Sequence, residues 1–176
     1  MSWESELGAL VATRGSALVA YAYLLTGDGH AAEDLVQEGL VNAYSRRRPR
    51  DVQWVEAYVR RVILNTYLDA YRSRKRLASV THLLAQDPSA DAHAQAGDRA
   101  DVARALTVLT PRERACVVLR FYDDLTLPEI GHRLGISDGA VKRYLSDARR
   151  KLEPELGPQP GLTTEDLSTI ATGGRS

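Results

Sequence analysis

Apolar positions recur at helical spacing through most of this chain. Leu7, Leu10, Val11, Arg14, Ala17, Leu18, Tyr21 and Leu25 fall mostly on one face, which predicts a helix over 3–26. Gly27, Asp28 and Gly29 end it and start a turn. A second helix follows over 30–44, with Ala32, Leu35, Val36, Gly39, Leu40 and Ala43 inward. Glu33, Asp34, Gln37, Glu38 and Val41 face out, an acidic patch with one apolar member. Residues 46–52 read as a loop, because Pro49 disfavours helical geometry for Arg48 before it. Asp51 can cap a third helix running from about 52 to 77. On it Val55, Val59, Val62, Thr66 and Ala70 face the core, while Arg61, Asn65, Leu68 and Arg72 form a second stripe.

Residues 79–98 change character: small, polar and mildly acidic, with too little apolar surface to pack, they read as a linker. A helix over 99–109 then carries Val102, Ala105, Leu106 and Leu109. Thr110, Pro111 and Glu113 combine a capping box with proline at the first helical position, and Ala115 to Tyr122 continue that helix. Asp123 and Asp124 break it. Thr126 and Glu129 open another helix with a second capping box, whose inward face is Leu127, Ile130 and Leu134. Gly135 sits where the helix must stop and turn, and Ser137 caps the next. Val141, Leu145, Ala148 and Leu152 make one buried stripe. Lys142, Ser146 and Arg149 share another face, flanked by Arg143 and Arg150. A short helix, a glycine turn and a second helix with a basic outer face is the helix-turn-helix plan. The run after Leu152 ends the fold, and residues 163–170 either make a further helical turn or two or stay disordered. No long β pattern and no internal repeat is present. The architecture is all-α: two small helical domains on a flexible tether, 1–78 and 99–155, with a linker over 79–98 and a tail over 156–176.

One motif is a decoy. Gly135, Ser137 and Gly139 match G-x-S-x-G, the hydrolase nucleophile elbow, which needs a strand before the serine. A helical pattern precedes it here, so Ser137 reads as an N-cap.

Charge changes the picture only locally. Lys plus Arg balance Asp plus Glu at 23 each. Yet residues 46–76 hold ten basic against three acidic side chains, and 142–151 hold five against one. Residues 1–45 are net −5 and 152–176 net −3. Any single basic run is commonly a solvated face; two, one of them on a helix-turn-helix, suggest two contact surfaces for a polyanion. The lone Cys116 lies in an apolar run and reads as a buried structural thiol. No His or Cys pair stands at metal-ligand spacing, so neither metal nor cofactor is expected. No signal peptide and no apolar run near the ~20 residues of a membrane span is apparent, which predicts a cytoplasmic protein without membrane insertion. Paired catalytic carboxylates and a phosphate-binding glycine loop are also missing, so no catalytic residues are expected.

Three segments, in order, carry a resemblance. AYLLTGDGHAAEDLVQEGLVNAY, AYVRRVILNTYLDAYRSRKR and LTPRERACVVLRFYDDLTLPEIGHRLGISDGAVKRYLSDARRKL are similar to the core-docking, −10 and −35 segments of group IV sigma factors. These are the extracytoplasmic-function type of bacterial RNA polymerase sigma factor, and the likeness covers roughly residues 5–155. It implies that Asp34, Gln37 and Glu38 meet a basic coiled coil of the RNA polymerase core. It implies that the third helix binds the non-template strand of the −10 element. Arg60, Arg61 and Arg72 suit phosphate neutralisation there, and Asn65 stands where the family lines a pocket for a flipped-out base. Trp54 and Tyr58 offer either stacking surfaces or core packing. The loop 46–53 corresponds to the family's specificity loop. The resemblance further places the last helix in the major groove at the −35 element, with Lys142, Arg143 and Ser146 toward base edges or nearby phosphates and Arg149 and Arg150 toward phosphates. The partners implied are RNA polymerase core, promoter DNA and an anti-sigma factor. A free-standing regulator would explain the helix-turn-helix equally well, but neither the Asp34, Gln37 and Glu38 face nor the Asn65 stripe.

Overall fold

The computed structural model describes residues 2–46, 54–80 and 98–156. The arginine-rich loop, the proposed Asp51 cap, most of the linker and the tail lie outside the described residues. Among the described residues all regular structure is helical: α1 (Trp3–Thr26), α2 (Gly29–Ser45), α3 (Val55–Val80), α4 (Asp98–Leu106), α5 (Pro111–Phe121), α6 (Leu127–Leu134) and α7 (Asp138–Leu156). The chain divides into two compact units, Met1–Ala103 and Arg104–Ser176, so the division falls inside α4.

The first unit packs α1, α2 and α3 against one another. The Ser2 side chain accepts the Ser5 N–H at the start of α1, and Gly27 ends the helix in the left-handed region. Asp28 is the N-cap of α2, its carboxylate accepting the Ala31 N–H at 2.7 Å. A turn this short allows the two helices to pack as an antiparallel hairpin. Trp3 records the result: its indole N–H donates to the Ala43 carbonyl at 3.0 Å, and its ring meets Tyr58 edge-on at 5.6 Å. Leu18, Tyr21, Leu25, Val59, Ile63 and Leu64 form the deepest core.

Five expectations shift here. Val11 and Arg14 do not reach the core; the Arg14 guanidinium grips Glu56 of α3 at 3.0 and 3.2 Å instead. Trp3 joins the core, because a residue at a helix start can fold back over its neighbour's far end. Leu68 is buried, because the core face of α3 is wider than one stripe and includes Leu64 and Tyr67. The helix also runs on to Val80 instead of stopping near Leu77; nothing between them is a breaker. α1 is long and apolar enough to cross a membrane by length and composition, contrary to the sequence expectation. Its apolar side, from Leu18 to Leu25, is taken up by the bundle.

In the second unit α5, α6 and α7 share a core of Cys116, Leu119, Ile130, Val141 and Ala148. Both capping boxes form. Thr110 Oγ accepts the Glu113 N–H while Glu113 accepts the Thr110 N–H at 2.9 Å; Thr126 and Glu129 repeat the exchange. Arg114, buried, donates to the Leu106 carbonyl at 2.9 Å, which also accepts the Leu109 N–H at 3.1 Å, and so ties α5 to the end of α4. On α4, Ala105 and Leu106 are buried as the periodicity implies, but Val102 is exposed and Ala103 takes the interior place. α7 continues past Pro154, which deletes one ladder bond near the helix end, on an exposed face where the loss is tolerated.

Candidate functional site

Three surfaces collect the side chains singled out by the sequence. On α2, Asp34, Gln37 and Glu38 are all exposed. Val41 and Tyr44, at 63% and 60% exposure, stand beside them, so the acidic ridge carries two unburied apolar residues instead of one.

On α3, Arg61, Asn65 and Arg72 are exposed, and spacings of four and seven residues put them on one line. Trp54 extends that line one step earlier. Its carbonyl accepts the Tyr58 N–H at 3.1 Å, so it stands at the head of the helix, and it is 74% exposed. The two aromatics therefore part company: Tyr58 packs on Trp3, while Trp54 presents a bare indole in register with Arg61 and Asn65. Arg60 is not brought to this line. It is half-buried, with its guanidinium 5.8 Å from the centre of the Tyr21 ring and 4.0 Å from the Glu56 carboxylate.

The third surface is built by the turn between α6 and α7. Gly135 has φ 66°, a conformation only glycine adopts without strain, and its N–H donates to the Gly131 carbonyl. Ser137 Oγ accepts the Ala140 N–H at 3.1 Å, so the serine of the apparent nucleophile elbow is a helix cap. Val141, Leu145, Ala148 and Leu152 are buried, and the opposite face offers Lys142, Arg143 and Ser146 to solvent. Arg149 is partly covered and lies 3.4 Å from Glu153; Arg150 is bonded to Asp147 at 2.7 Å. Exposed pairs of this kind are worth about 0.3–0.5 kcal/mol, little enough for a phosphate to displace.

A helix-turn-helix with a cationic face and a separate bundle with an acidic and a basic face narrow the possibilities to a few classes of DNA-binding protein. Residues 10–77 match the family described as Sigma-70 region 2, and residues 105–153 match Sigma-70, region 4. The RNA polymerase sigma-E factor of Streptomyces coelicolor is 38% identical over 152 residues, which cover 86% of each chain. The chain belongs to the extracytoplasmic-function sigma factors of RNA polymerase. Its relatives include the ECF RNA polymerase sigma factor SigM of Bacillus subtilis, 27% identical over 76% of this chain and 85% of that one. Among solved structures, CnrH in complex with the cytosolic domain of CnrY superposes with a TM-score of 0.53 at 26% identity, covering 86% of this chain and 87% of that one. The sigma factor RpoE of Bartonella quintana, in complex with the anti-sigma factor NepR, shares the fold with a TM-score of 0.65 at 24% identity, over 86% and 96%.

As a sigma factor the protein directs promoter-specific transcription initiation by RNA polymerase. The region 2 match removes the free-standing regulator as an alternative. Sequence reasoning missed three contributors to the surfaces: the exposure of Tyr44, the alignment of Trp54 with Arg61, and the removal of Arg60 from that line. The first two were open to detection, since Tyr44 keeps helical spacing with Gln37 and Val41, and Trp54 with Arg61, Asn65 and Arg72. The third depends on Tyr21 and Glu56, and only the folded chain brings those together.

Proposed function

We propose that the two units divide promoter recognition between them. The part over 1–78 acts as region 2, 79–98 as a linker, 99–155 as region 4, and 156–176 as a tail. Asp34, Gln37 and Glu38 bind a basic surface of core polymerase, with Val41 and Tyr44 supplying apolar contact at the centre. The Trp54, Arg61, Asn65 and Arg72 line takes single-stranded −10 DNA. The arginines neutralise phosphates, Trp54 stacks on a base, and the Asn65 amide, able to donate and accept, reads the edge of another. Capturing unstacked bases offsets part of the few kcal/mol that flipping requires, so binding favours melting. Arg60 supports this face from behind, through Tyr21 and Glu56. α7 enters the major groove at the −35 element with Lys142, Arg143 and Ser146 toward bases and Arg149 and Arg150 toward phosphates.

The protein contributes binding and positioning, not catalysis, and works in the cytoplasm without cofactor or metal. An anti-sigma factor of the kind seen with its structural neighbours is its expected inhibitor. The observation that carries the reading is the exposed line Trp54, Arg61, Asn65 and Arg72, which a bundle built only for stability has no need to present. Run-off transcription with bare core polymerase and native upstream sequences tests it. The intact chain should restore specific starts. Asp34→Lys with Glu38→Lys should abolish core binding with helicity unchanged, and undiminished binding would rule out that face.

A further inference from the structure

Lys151 belongs to the second basic run by sequence but not by position. Nine residues at about 100° each place it about 180° around α7 from Lys142. There its ammonium donates to both carboxylate oxygens of Glu113 on α5, each at 2.9 Å. The Glu113 side chain is 6% exposed. The same carboxylate accepts the Thr110 N–H at 2.9 Å, and Thr110 Oγ in turn accepts the Glu113 N–H at 3.3 Å. The acid is thus held by the capping box of its own helix before it meets α7.

Glu113 and Arg114 apart, the buried side chains that α5 and α7 contribute are apolar, among them Cys116, Leu119, Val141, Ala148 and Leu152. Apolar packing has no preferred direction, and a stripe containing Ala148 tolerates small rolls of α7 about its axis. A roll of ~20° shifts atoms at the helix's outer radius of ~5–6 Å by ~2 Å. That is enough to pull a side chain out of hydrogen-bond reach of a base edge. A charged hydrogen bond to a fixed carboxylate is directional and resists such a roll.

We propose that Glu113 and Lys151 are positioning residues: their bond sets the roll of α7 and thereby selects which outward side chains meet base edges. Neither touches DNA. The inference rests on the reading that α7 occupies the −35 major groove.

The test uses the full chain assembled with core polymerase and a duplex library randomised over the −35 element. Wild-type holoenzyme defines the preferred sequence and its advantage over single-base variants. Glu113→Gln keeps an acceptor for the Thr110 N–H and removes the charge; Lys151→Met keeps the length and removes the charge. Each should cut the advantage about ten-fold, the scale of one good base contact. Binding to the unselected library should stay unchanged, measured at a temperature where circular dichroism shows every variant fully helical. Lys151→Arg should restore most of the discrimination. The double variant Glu113→Gln/Lys151→Met should be no worse than either single one. An unchanged advantage in both single variants, beside a lowered melting temperature, would reduce the pair to a strut and overturn the proposal. A wild-type holoenzyme with no −35 preference would sink the placement of α7 itself, and the proposal with it.

Discussion

Gly39 of α2 lies directly against Ile63 of α3: a Cβ placed on the glycine would stand 2.6 Å from Ile63 Cγ1 and 3.3 Å from its Cα. Cγ1 is not the loose end of that side chain, and the backbone cannot swing away. Gly39→Ala therefore forces α2 and α3 apart. The alanine gains about 1 kcal/mol of helix propensity. Overpacking of a tight helix crossing loses about 1–3 kcal/mol, so the net change is destabilising. Both tryptophans, Trp3 and Trp54, lie in the first unit, so their fluorescence follows that unit alone during denaturant unfolding. The midpoint should fall for Gly39→Ala and fall further for Gly39→Val.

Cys116 gives the matching handle on the second unit. Burial pushes its thiol up to about 12, so at pH 8 only about one part in ten thousand is thiolate. Alkylation of the folded chain should proceed only through opening, and should speed up by orders of magnitude in denaturant. Prompt labelling of native protein would contradict the burial.

Asp124, in the turn between α5 and α6, holds φ 55°. A side chain there costs about 1–2 kcal/mol, less for aspartate than for alanine. Asp124→Gly should stabilise the second unit by up to about 1 kcal/mol, and Asp124→Ala should do the reverse. The rate of Cys116 alkylation is the measurement: slower for the glycine variant, faster for the alanine.

Acid should weaken both units through different carboxylates. The Arg14 hydrogen bond holds Glu56 below its ordinary value of 4.5. For Glu113 burial acts most strongly and in the opposite direction, but the bonds from Lys151 and the Thr110 N–H outweigh it, and its pKa too is lowered. A group whose folded pKa lies below its unfolded one stabilises the fold above the unfolded value, and the benefit is lost as pH falls through the folded one. Stability should therefore decline as pH drops below about 4.5. Glu56→Gln should flatten that decline in α1 and α3 only, and Glu113→Gln in α5 and α7 only, as read by hydrogen exchange.

On the DNA side, Asn65→Ala and Trp54→Ala should slow promoter opening more than they weaken the closed complex, if the proposed contacts of both are with unpaired bases. Arg61→Ala should weaken all promoters alike and reduce the salt dependence of binding by about one ion. Permanganate footprinting against filter binding separates the two effects. Equal losses in both assays for Asn65→Ala would place that residue outside the melted strand.

Local features were readable in the sequence because each is built from steps of three or four residues. Thr110 with Glu113, Thr126 with Glu129, and the stripe from Val141 to Leu152 are examples. What the sequence hid is partnership over distance. Arg14 falls on the apolar face of α1 by periodicity, yet its partner Glu56 is 42 residues away. Lys151 counts as one more cation in a basic run until Glu113, 38 residues earlier, engages it from α5. A one-dimensional pattern reports which side of a helix is wet, not what waits across the gap.

The indole of Trp3 reaches a carbonyl 40 residues further along and the ring of Tyr58 beyond that. On a ribosome, α1 therefore emerges long before the groups that complete its packing. Closure of the first unit must wait until α3 has been synthesised, and until then the core around Leu18, Tyr21 and Leu25 has only α2 to cover it.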